Sequence, residues 1–140
     1  MATIEPVFLF CVEAEIGAIH SLGSGPQGPR MIVPAAAGKV SGPSVNGRIV
    51  PGAGVEWATL RDDGSIKADV RLVLETDDGA TLLMVYQGIA APVGDSLKVT
   101  VAPLFETDSE RYAWLNNVQA IGLGTPTETG IKYDVYQLNW

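Results

Sequence analysis

One cysteine and one histidine are all that this chain holds of the two residue types most used for covalent and metal chemistry. A lone cysteine excludes an intrachain disulfide. Cys11 also sits in the apolar run Val7-Phe8-Leu9-Phe10-Cys11-Val12, where it reads as a small buried hydrophobe rather than a nucleophile. One His and one Cys cannot furnish a conventional zinc site, so no metal is expected. A Ser-His-Asp triad would have to use His20, and the chain has no G-x-S-x-G elbow. His20 reads as structural or loop-exposed.

Positive charge is scarce as well. Lys and Arg number 9 against 16 Asp and Glu, for a net charge of −7. Such a surface repels phosphate backbones and anionic lipid, which argues against nucleic-acid and membrane partners. No apolar run approaches the ~20 residues that span a bilayer. The first residues hold Glu5 and no Lys or Arg, and the apolar run after them is short, so they do not read as a signal peptide. The expected location is the cytoplasm.

Helical pattern is nearly absent. Pro34 and Gly38 leave Ala35-Ala36-Ala37 no room to propagate a helix. Only Ser109 to Asn116 is a plausible helical turn. What the chain has is strand punctuated by 16 glycines and 9 prolines, spread along its whole length with no linker or domain boundary. Strand patterns run over Val7 to Val12, Arg30 to Pro34, Val45 to Val50, Val55 to Leu60, Ile66 to Thr76, Leu82 to Tyr86, Leu97 to Val101, Val118 to Ile121 and Lys132 to Leu138. Ser21 to Pro29 and Gly122 to Thr127 read as loop and turn. Asp62-Asp63-Gly64 and Asp77-Asp78-Gly79 each join two strand runs and read as hairpin turns, so their carboxylates are turn formers before they are catalysts. About eight or nine short strands in one domain, residues 1–140, predict an all-β antiparallel closed barrel, with a sandwich as the other solution. The hydrophobic fraction of 46% suggests a sizeable core plus a buried interface, so a homo-oligomer is expected.

Gly23-Ser24-Gly25-Pro26-Gln27-Gly28 matches G-x-G-x-x-G in letters only. The dinucleotide fingerprint needs a helix opening at its end, and here Pro29 and a strand follow. A loop or lid over a barrel mouth is the better reading. The remaining candidates for chemistry are carboxylates, Arg, Tyr and Trp. Glu56 and Trp57 follow a glycine-rich corner. Asp69 and Arg71 share one face of the strand Ile66 to Thr76, opposite Ala68, Val70, Leu72 and Leu74. That polar face is either a solvated surface, or the lining of a barrel in which Arg71 holds an oxyanion and Glu56 or Asp69 acts as a general base. Tyr86, Tyr112, Trp114, Tyr133 and Tyr136 are candidate cavity aromatics, or plain core.

The residues also resemble a known family. Gly42-Pro43 followed by Asn46-Gly47-Arg48-Ile49-Val50-Pro51-Gly52-Ala53-Gly54-Val55-Glu56-Trp57 is similar to the G-P-x-x-x-G-x-v-x-P-G-g-a-D-W signature of domain-of-unknown-function family 3237. Asp69-Val70-Arg71, Leu74-Glu75-Thr76-Asp77-Asp78-Gly79, Phe105-Glu106-Thr107, Arg111-Tyr112-Ala113-Trp114-Leu115-Asn116 and Tyr133-Asp134-Val135-Tyr136 resemble its later blocks, in order along nearly the whole chain. The chain departs from the pattern at Glu56, where Asp is usual, at Ala53, which interrupts a double glycine, and at Leu72, where Tyr is common. The resemblance implies a calycin-like barrel with a ligand cavity and oligomeric assembly. Some members are similar to cofactor-free enzymes of secondary metabolism that close rings by adding a hydroxyl to an alkene or enone.

Three functions therefore stand as expectations. The first is a cofactor-independent cyclase or isomerase acting on a small apolar or aromatic, polyketide-like substrate. Its catalytic residues would be Glu56, Asp69 and Arg71, with Tyr86, Trp57, Trp114 and Asn116 contacting substrate. The second is a barrel that binds a small hydrophobic ligand without turnover. The third is a structural oligomer whose Asp69 and Arg71 make intersubunit ion pairs.

Overall fold

A computed structural model describes residues 1–140. Eleven strands follow one another: β1 (Glu5–Ile16), β2 (His20–Gly25), β3 (Gly28–Ser41), β4 (Gly47–Ile49), β5 (Val55–Leu60), β6 (Ile66–Thr76), β7 (Thr81–Val93), β8 (Ser96–Val101), β9 (Leu104–Glu106), β10 (Ala120–Pro126) and β11 (Gly130–Asn139). One 3-10 turn, Ala113–Asn117, lies between β9 and β10. Every pairing is antiparallel. The pairings run β6-β5-β3-β1-β11-β10-β8-β7 and return to β6, so the sheet closes into a barrel and removes most of its edges. The seam between β8 and β10 is the shortest join, with Gly122–Gly124 against Val99–Val101. The other strands are flaps: β2 covers the first half of β3, β4 bridges the ends of β3 and β6, and β9 pairs with the start of β7.

The alternation of Ile66 to Thr76 appears as read. Ala68, Val70, Leu72, Leu74 and Thr76 are buried, while Lys67 and Arg71 are exposed. Both Asp-Gly hairpins form, with Gly64 and Gly79 at positive φ. In the first, Asp63 accepts hydrogen bonds from the Ser65 amide and hydroxyl at 2.9 and 2.5 Å, which is turn chemistry. Strands β3 and β7 run longer than the sequence reading, β9 is absent from it, and two segments that it makes loop or turn are strand instead. Ser21 to Pro29 is not a loop but the β2–β3 hairpin, because its glycines lie in register, Gly25 opposite Gly28. Gly122 to Thr127 is mostly strand β10, since Gly122 and Gly124 let Val99, Val101 and Tyr133 pack close against the backbone.

The core has a taper that positions the site. Small inward-facing residues, Ala68 on β6, Gly88 and Ala90 on β7 and Ala14 on β1, lie toward one end of the barrel, and larger ones, Leu72 and Leu74, Met84 and Leu82, and Phe10, fill the other. At the large end Phe10 meets Phe105 edge-on at 5.8 Å between ring centres, and Leu115 of the 3-10 turn is fully buried. That end is solid. At the small end alanines leave the barrel unfilled.

The signature residues of the closed end are scaffold. Asp78 accepts from the Thr76 hydroxyl at 2.5 Å, the Tyr112 hydroxyl at 2.9 Å and the Arg111 guanidinium at 2.7 Å. These bonds, the one from Thr76 first, hold its carboxyl below its ordinary range. Asn46 clasps Gly42, donating to its carbonyl at 2.9 Å and accepting from its amide at 3.1 Å.

Candidate active site

The small end holds an apolar cavity of two lobes that share Ile16, Val33, Glu56, Ile131 and Tyr133. The outer lobe is about 220 Å³ and opens past Ile19, Met31, Leu97 and Pro126. The inner lobe is about 40 Å³ and reaches Val70, Leu72 and Tyr86. These volumes lie below the ~300 Å³ typical of the smallest drug-sized sites, so the ligand that fits is small.

Glu56 is the one charged residue lining either lobe, and no Lys, Arg or His joins it. It comes inward because β5 alternates: Glu56 and Ala58 face the interior while Trp57 faces out. Burial raises its carboxyl above the ordinary range, and neither a cation nor a hydrogen-bond donor offsets that cost. Register places Glu56 opposite Val70, and Val70 opposite Tyr86, so the three side chains stand level on adjacent strands. Glu56 and Tyr86 thus rise from backbones about 10 Å apart. Tyr133 reaches in from β11 on the other wall and meets Tyr86 edge-on at 5.4 Å. Burial pushes the Tyr86 phenol well up, with Tyr133 and the Glu56 charge adding to it. The Tyr133 phenol is raised by burial first and by Glu56 second. Both therefore remain neutral hydrogen-bond donors at any physiological pH.

The structure brings together only part of the site expected from sequence. Glu56 and Tyr86 share the cavity. Asp69 and Arg71 do not: they lie on the outer face of β6, on the opposite side of the sheet wall, because the strand's period of two sends them away from Val70. Trp57 is 48% exposed on the outer face of β5 for the same reason, and Trp114 is 41% exposed on the 3-10 turn at the closed end. Asn116 is a clasp rather than a ligand contact. It accepts from the Thr107 amide at 2.8 Å and donates to the Thr107 carbonyl at 3.0 Å. Tyr133, one of five aromatic candidates in the sequence, belongs to the site. Its signal was its alternation with Asp134 and Val135 on β11.

The family model of the protein of unknown function DUF3237 matches residues 3–138. The chain belongs to that family. Solved structures share its barrel: a β-barrel-like protein of Acinetobacter baumannii is 27% identical, with a TM-score of 0.93 over 99% of this chain and 98% of that one. An enzyme from Penicillium herquei is 27% identical, with a TM-score of 0.79 over 99% of this chain and 97% of that one. A hydroalkoxylation enzyme of Penicillium herquei is 40% identical over 85 residues, which cover 61% of this chain and 50% of that protein. One relative of this chain thus has a named reaction.

Proposed function

We propose that this chain is a cofactor-independent enzyme that closes a ring by adding a hydroxyl of a small, uncharged, apolar or aromatic substrate across a conjugated alkene of the same molecule. The observation that carries the reading is Glu56, an uncompensated carboxylate in an apolar cavity facing two neutral phenols. The likeness to a hydroalkoxylation enzyme supports the same reaction class.

In the forward step the Glu56 carboxylate takes the proton of the substrate hydroxyl. The freed oxygen pair forms the C–O bond to the alkene carbon, and the alkene's π pair moves onto the conjugated carbonyl oxygen. The Tyr86 and Tyr133 hydroxyls donate to that oxyanion. The Glu56 carboxyl then returns its proton to the α-carbon, giving an isomer of the substrate with no oxidant consumed. A carboxyl raised toward neutrality suits both directions of proton transfer. Arg71 and Asp69, on the outer wall, take no part.

The test is a panel of phenols carrying a pendant enone, incubated with the purified chain and separated for isomeric product on a chiral column. Binding is followed in parallel by calorimetry, because Trp57, Trp114 and Trp140 all lie outside the cavity and report on it poorly. The reading expects one enantiomer in excess from the parent chain, and bound but unconverted substrate with Glu56→Gln. Saturable binding with every ligand recovered unchanged would instead make the barrel a carrier.

A further inference from the structure

The outer face of β6 carries an unpaired acid and an unpaired base in apolar surroundings. Asp69 and Arg71 stand two residues apart, and neither belongs to the ion pairs of the monomer, which are Arg48 with Glu75 and Arg111 with Asp78. Across the strand pairings, Arg71 lies between Val55 on β5 and Val85 on β7, and Val85 is in turn opposite Leu104 on β9. Asp69 lies opposite Gln87, and the β5 register puts Trp57 at its level on the other side. Trp57 is 48% and Leu104 54% exposed, and a depression of about 320 Å³ runs between Asp69, Arg71, Gln87, Ala102 and Leu104. Exposed aromatic and aliphatic groups flanking an unpaired acid and base mark this wall as a contact surface, with the charges able to fix orientation.

We propose that this face is an isologous interface with a second copy of this chain, its two-fold axis crossing β6 at the level of Val70. Two ways of laying the face on its twin keep β6 over β6. An axis parallel to the strand stacks Asp69 on Asp69 and Arg71 on Arg71, which repels. An axis perpendicular to the strand makes the two β6 strands antiparallel and sets each Asp69 over the other copy's Arg71. The charges therefore select the perpendicular axis. In that arrangement Leu104 of one copy lies over the Gln87 and Ala102 side of the other's depression, and Trp57 lies over Val55. Sheets packed face to face in this way sit about 10 Å apart, within reach of Asp and Arg side chains.

The symmetry supplies a test that misfolding cannot imitate. Asp69→Arg and Arg71→Asp are made separately, and mass is measured by light scattering for each variant, for their equimolar mixture and for the parent. The parent is expected to be dimeric, with dissociation favoured by salt. Each variant alone is expected to be monomeric, because it sets like charges across the axis. The mixture is expected to regain the dimer mass, because the two arginines of one variant meet the two aspartates of the other. A parent that is monomeric at micromolar concentration overturns the proposal. So do single variants that stay dimeric, or a mixture that stays monomeric although both variants keep the parent's circular dichroism and melting transition. A parent that runs as a larger assembly fits only if the two variants alone lose one two-fold contact and the mixture restores it.

Discussion

Glu56 is the residue on which the account turns, and its environment gives two opposite pH trends. Its carboxyl titrates above the ordinary range, so the folded chain holds that proton more tightly than the unfolded chain does. The stabilising share is fully present in acid, below the unfolded carboxyl's range, and is lost as pH rises through the folded value. Glu56→Gln keeps the shape without the charge. It is expected to melt higher than the parent at neutral pH, with the gap closing as pH falls toward about 4. Activity should move the other way. The base works ionised, so kcat/KM should rise with pH through an inflection above the ordinary carboxyl range, and Glu56→Gln should lose about 10²–10⁴-fold in kcat. Tyr86→Phe removes one oxyanion donor and keeps the edge-on ring contact with Tyr133. It is expected to lower kcat about 10²-fold with little change in melting temperature.

At the scale of the element, the strands were legible because period two is a strong signal. β5 and β6 begin and end where their alternation does, and the Asp-Gly turns lie where both neighbours tolerate positive φ. What the same period could not say is which face of β6 turns inward. A polar face reads alike as a solvated wall and as a lined cavity. The decision came from Ala68, Val70, Leu72 and Leu74, which themselves pack in the core and so leave Asp69 and Arg71 on the outer face. Motif residues can also be fixed by packing. Gly47 lies where β4 crosses β6 so closely that an added Cβ would meet the Glu75 carbonyl oxygen and approach the Thr76 Cα at 2.8 Å. Gly47→Ala is expected to cost about 1–3 kcal/mol by denaturant unfolding. Asn116→Ala, which breaks the clasp on Thr107, should cost about 1 kcal/mol and leave ligand affinity unmoved. The signal that could have located the cavity is the run of small inward residues at one end of β1, β6 and β7. Ala68→Leu should fill that space, and calorimetry should then show ligand affinity lost without a comparable loss of stability.

For the whole molecule, the taper gives the barrel a solid end and an open one, and the charges divide accordingly. The interior keeps a single carboxylate, and the ion pairs and turn carboxylates are confined to the surface. The cavity opens between Ile19, Met31 and Leu97, and a ligand there would draw its affinity from apolar burial plus one or two hydrogen bonds. Such a ligand at 100 times its Kd should stabilise the folded chain by about 2.7 kcal/mol, seen as a rise in melting temperature. Anionic isosteres of the same shape should give a smaller rise at neutral pH, because the cavity lining holds no cation and Glu56 repels their charge.

The most direct measurement is the titration of the Glu56 side-chain carboxyl by carbon-13 NMR, assigned by its disappearance in Glu56→Gln. Its midpoint should lie above those of the exposed carboxylates of this chain, and move further up when a neutral ligand fills the cavity and excludes water. A Glu56 that titrates together with the exposed carboxylates, and does not respond to ligand, would contradict its role as the buried base.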